Sequence, residues 1–157
     1  MEHTTISHPD WSKVAEVELV YRSKIKASER PIVRTSREAN YLFSHMWNRD
    51  KMDLLEEFKV ILLNRAARVL GVYEVSSGGI CGTLVDIRLV LAVALKSLAT
   101  SLILAHNHPS GNLKPSLADE QLTNKLKTAA YYHDIKVADH LIITSEAYFS
   151  FADEGLL

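Results

Sequence analysis

Residues 101–144 present a strand, a loop, a helix and a strand in immediate succession, and that order restricts the chain to folds in which helices cover a sheet. Ser101-Leu102-Ile103-Leu104-Ala105-His106 is an apolar run of strand length. Asn107 to Pro115 is rich in Pro, Gly and Asn and predicts a loop. Ser116 is suited to cap a helix running to about His133, and Ile135–Thr144 and Tyr148–Phe151 supply the last strands.

The same alternation holds upstream. Val17–Tyr21 has strand composition, and Ile25–Arg34, which contains Pro31, is either loop or edge strand. Ser36 before Arg37-Glu38-Ala39 looks like a helix N-cap. Ala39, Leu42, Phe43 and Met46 then follow at helical spacing, with Trp47 near the end. Phe58–Leu63 and Val69–Val75 predict two strands joined by a turn over residues 64–68, and Ser76-Ser77-Gly78-Gly79 breaks the second. Asp86–Ala99 is apolar nearly all round, which predicts a buried helix. The class is therefore α/β (α+β), with a mixed β-sheet flanked by helices. The expected organisation is an N-terminal lead-in and edge strand over residues 1–35 and a single domain over 36–157.

Composition narrows the function. With 157 residues, 47% of them hydrophobic and 24% charged, the chain can build a real core. A formal net charge of −1 carries no global signature of a nucleic-acid binder. The one cysteine, Cys81, excludes an internal disulfide framework and any multi-cysteine zinc site. It also argues against cytidine deaminase chemistry, which needs a Cys-x-x-Cys pair. Residues 1–11 lack the apolar stretch of a secretory signal, and the run Leu89–Leu95 is too short to cross a bilayer, so a cytoplasmic location without membrane contact is expected.

The chemistry concentrates where the apolar strand ends. Residues two apart on an extended chain point to one side, so His106 and His108 can approach a single metal ion. Asp119, in the first turn of the next helix, can complete a three-ligand set that leaves a fourth position for water. Spacing alone leaves a second reading open, in which the histidines cap backbone groups and Asp119 stabilises the helix start.

His106-x-His108, seven residues, Ser116, two residues and Asp119 together resemble the JAMM (MPN-plus) metalloprotease signature. Leu102–Gly111 and Asp139-His140-Leu141-Ile142-Ile143 resemble more closely the RadC family within that superfamily. The similarity runs from about Phe58 to the end. It implies a cytidine-deaminase-like MPN (JAB) architecture, Zn2+ held by His106, His108 and Asp119, and hydrolysis of an amide, peptide or isopeptide, by activated water. It further implies Glu74 as general base and Ser116 as oxyanion stabiliser. The loop after Glu74, Val75-Ser76-Ser77-Gly78-Gly79, departs from the family pattern. A protein or peptide substrate is expected. The RadC name also carries a nominal DNA-repair association, which leaves a DNA-associated accessory module or a metal-dependent nuclease as the alternative. The helix-hairpin-helix segment that precedes the domain in many RadC proteins has no recognisable counterpart here. His140 and Asp139 are read as groups behind the metal site or as core residues, and Asn107 as a side chain directed away from the metal.

Overall fold

The computed structural model describes residues 20–78 and 84–157. Five strands form one mixed sheet in the order β2-β1-β3-β4-β5. They are β1 (Glu57–Leu63), β2 (Val69–Ser77), β3 (Ser101–Asn107), β4 (Lys136–Ile143) and β5 (Tyr148–Ser150). The helices are α1 (Ser36–Met46), the single turn α2 (Arg49–Met52), α3 (Ile87–Lys96) and α4 (Leu117–Tyr131). β1 pairs antiparallel with β2 and β3, β3 pairs parallel with β4 across α4, and β5 returns antiparallel. The expected class, a mixed sheet flanked by helices, is what the chain adopts.

Both faces of the sheet are covered, so β1 and β3 are buried along nearly their whole length, with unbroken apolar runs at Val60–Leu63 and Leu102–Ala105. One face packs Ile61, Leu63, Ile103, Ala105, Leu141 and Ile143 under α1, which contributes Ala39 and Phe43. The other packs Phe58, Val60, Leu62, Leu102 and Leu104 against Val90 and Ala94 of α3 and Leu126 and Ala130 of α4. Truncating a fully buried residue such as Leu126 removes about 2–5 kcal/mol from a core packed this way.

Several boundaries differ from the sequence expectation. The N-cap of α1 is Thr35, not Ser36, because its hydroxyl accepts from Glu38 N while the Glu38 carboxylate accepts from Thr35 N. β2 runs through Ser77, and Gly78 N still donates to Glu56 O beyond it. α3 is not buried all round: Val90 and Ala94 face the core, while Leu89 and Leu95 are exposed. The segment 25–34 acts as an edge addition, with Val33 N donating to Ala67 O and Val69 N to Pro31 O. Most of the strand expected at Val17–Tyr21 lies outside the described residues, as do Cys81, His3 and His8; Val20 and Tyr21 are irregular. Among the described residues, no helix is long and apolar enough to cross a membrane.

Candidate metal centre

The parallel β3–α4–β4 unit creates the site. In such units, ligands collect outside the carboxyl ends of the strands. β3 ends there in His106, whose parity with Leu102 and Leu104 turns it toward the α4 face. Asn107 turns the other way: its amide donates to Met52 O and Leu55 O and its carbonyl accepts from Glu57 N. That buried clamp ties the end of β3 to the start of β1. His108 N donates to Ile143 O at 3.0 Å and brings its side chain back beside His106.

Asp119 arrives by a different local rule. It is the third residue of α4, and Ser116 caps that helix. Ser116 Oγ accepts from Asp119 N, and Asp119 Oδ2 accepts at 2.7 Å from both the amide and the hydroxyl of Ser116. The capping box therefore also aims the carboxylate.

These groups converge. His106 Nε2 stands 2.9 Å from His108 Nε2 and 3.2 Å from Asp119 Oδ1, and His108 Nε2 is 3.7 Å from Asp119 Oδ2. Donors bound tetrahedrally to zinc sit about 3.3 Å apart, given bonds of about 2.0–2.1 Å. The observed separations bracket that value. The His106 side chain is 2% exposed, while those of His108 and Asp119 are 17% and 14% exposed, so the group opens on one side only. Among the described residues, this is the one set of three His, Cys, Asp or Glu side chains placed to share a metal ion.

Proton placement supports the fit. His108 Nδ1 lies 2.6 Å from Asn112 O, and a carbonyl can only accept. The neutral ring therefore carries its proton on Nδ1 and presents a lone pair at Nε2. The electrostatics agree that positive charge is favoured between these groups. Burial alone would raise the Asp119 carboxyl, but His106 and His108, which donate to it whenever they are protonated, and the Ser116 hydroxyl hold it far below the usual carboxylate range. Asp119 raises the affinity of His108 for a proton, against the opposing effect of burial, with help from the Asn112 carbonyl and the Glu56 charge. A metal ion meets the same demand with geometry that suits three donors.

A family profile described as the RadC-like JAB domain matches residues 32–156. The chain belongs to the RadC-like JAB domain family. Its relatives include a UPF0758 protein of Flavobacterium johnsoniae, 54% identical over 64% of this chain and 44% of that one. A UPF0758 protein of Porphyromonas gingivalis is 48% identical over 65% of this chain and 45% of its own. One from Acidovorax ebreus is 36% identical over 92% of this chain and 60% of its own. The chain thus spans about half the length of the relatives it matches.

The RadC-like site is not assembled quite as the sequence implied. The structure does not bring Glu74 to the histidines. Glu74 pairs across β1 with Lys59, whose ammonium lies over the Trp47 ring on the α1 face. His106 pairs with Phe58, on the α4 face, and stacks on its ring. The register shift between Phe58 and Lys59 leaves Val75, not Glu74, on the α4 side. Glu74 is half exposed and neutralises Lys59 together with Glu57. The Ser116 hydroxyl is engaged with Asp119.

An acid whose charge is felt at His108 is Glu56, which sequence reasoning passed over. It lies two residues before Phe58, which pairs with His106, and so shares the parity of Phe58 and Val60. In the sequence it is only an acid before an apolar strand. Its meaning appears once β1 is paired with the histidine strand.

Proposed function

We propose that this domain is a zinc-dependent hydrolase of amide bonds, in a protein or peptide, with His106, His108 and Asp119 as ligands. The observation that carries the reading is the convergence of two imidazole Nε2 atoms and one carboxylate at 2.9–3.7 Å. A divalent ion held there supplies a Lewis acid that polarises a carbonyl and lowers the pKa of water toward roughly 7. Three protein ligands and one open side match a catalytic site rather than a structural one. Glu56 takes the place the resemblance gave to Glu74. Its carboxylate accepts a proton from the attacking water and returns it to the leaving amine, which needs an acid on the metal's side of the sheet. Ser116 and the α4 N-terminus hold Asp119 in its ligand orientation. The partly exposed edges of His108 and Asp119 face the side from which a substrate carbonyl enters.

The test pairs metal content with turnover. Protein purified without chelator should carry about one zinc per chain by mass spectrometry. Glu56→Gln should retain that zinc and lose about 10²–10⁴-fold in turnover of any peptide or isopeptide substrate that the wild type cleaves. Wild-type protein free of metal, or unchanged turnover in Glu56→Gln, would sink the reading.

A further inference from the structure

Behind His106 lies a second histidine that the ligand set does not use. His140, on β4, is fully buried between the rings of Phe58 and Phe151. Its Nε2 is 2.8 Å from His106 Nδ1, and its Nδ1 is 2.6 Å from the hydroxyl of Thr123 on α4. The Thr123 hydroxyl is in turn 2.6 Å from the backbone carbonyl of Asp119.

The direction of this chain follows from its last member. A carbonyl only accepts, so the single Thr123 proton belongs between Thr123 Oγ1 and Asp119 O. Thr123 Oγ1 must then accept from His140 Nδ1–H. A neutral His140 has no second proton, so its Nε2 accepts from His106 Nδ1–H. The His140 ring is fully buried, and among the described residues its nitrogens meet only His106 and the Thr123 hydroxyl, so no carboxylate supports a charged form. Reversing the chain would place the lone pairs of Thr123 Oγ1 and Asp119 O face to face at 2.6 Å. It would also leave a proton on the nitrogen that a metal needs.

We propose that Thr123 and His140 are positioning residues that dictate the tautomer of His106, keeping its proton on Nδ1 and its Nε2 lone pair directed at Asp119 and His108. The use of this relay rests on the metal-site reading, although the tautomer itself does not. The relay also closes on the ligand set: it starts at the backbone of Asp119 and ends at His106, whose Nε2 faces the Asp119 side chain. α4 therefore supplies a ligand and, four residues on, the residue that orients another. The Asp119 carboxylate, 3.2 Å from His106 Nε2, pulls the proton the opposite way. Removing the relay should let that pull win.

The experiment uses the full chain, labelled with 15N, stripped of metal and held at a pH where His106 is neutral. Long-range 1H–15N spectra report which ring nitrogen carries the proton. Wild type should show His106 protonated on Nδ1. Thr123→Val, which keeps the shape but removes the hydroxyl, should move the proton to Nε2. Zinc affinity, read by competition with a chromophoric chelator, should fall about 10–100-fold in Thr123→Val. Thr123→Ser should restore both readouts, which separates the hydroxyl from mere packing. A wild-type His106 protonated on Nε2, or unaltered zinc affinity in Thr123→Val, would overturn the relay. Wild-type protein that takes up no zinc would remove the metal-site reading instead, with the nitrogen spectra alone then deciding the tautomer.

Discussion

The sheet carries two polar clusters, back to back. On the α1 face, Lys59 joins Glu57 at 2.8 Å and also pairs with Glu74, with its ammonium over the Trp47 ring. On the α4 face, His106, His108 and Asp119 converge, backed by His140 and Thr123. The first cluster brings its own cation, Lys59, which both of its carboxylates share. The second has no lysine or arginine within ion-pair distance of its carboxylate among the described residues, and it presents donor atoms to one another. Buried charge is tolerated where a partner is present and costs heavily where none is. The comparison separates the two: the α1 cluster carries its own cation, while the α4 cluster is a set of donors that could hold a metal ion.

That contrast can be broken by substitutions on each face. The largest effect expected is on the α4 side. His108→Ala should abolish stoichiometric zinc in mass spectrometry while the chain still unfolds cooperatively. Equal zinc in the variant would erase the distinction. Next comes Lys59→Met, which leaves Glu57 buried without its cation. It should cost about 3–5 kcal/mol in denaturant unfolding and leave the zinc content unchanged. Ser116→Ala loses the α4 cap, about 1 kcal/mol of stability. It should also weaken zinc binding, because Asp119 Oδ2 loses the hydroxyl that aims it; a stability loss with intact affinity would reduce Ser116 to a cap. Smallest of all, Glu74→Gln sits half in solvent and should shift stability by at most about 1 kcal/mol and leave turnover unmoved. A large loss of turnover there would return the base to Glu74 and displace Glu56.

The misplacement of Glu74 shows what pattern reasoning could not see. In one dimension Glu74 is an acid on a strand upstream of the histidines, which is all the resemblance requires. Which face it occupies depends on its pairing partner, and the shift at Phe58/Lys59 flips that choice. Glu56 has the complementary history. Nothing local marks it, and the role proposed for it follows only from β1 running antiparallel to β3 with Phe58 opposite His106. Thr123 was invisible for the same reason, since a threonine in mid-helix carries no signal until α4 is laid beside β4.

The sequence by itself determined the alternation of strands and helices, the two-sided burial of β1 and β3, and the grouping of His106, His108 and Asp119. Those features rest on local rules: apolar runs need cover, i and i+2 share a side on a strand, and a serine three residues before an acid caps a helix. Only the tertiary structure decided that Glu74 lies beside Lys59 and away from the histidines, which face of α3 stays exposed, and that His140 meets His106. Each of those depends on register across the sheet or on contact between distant segments. A one-residue change in register moves a side chain through the sheet to the opposite core.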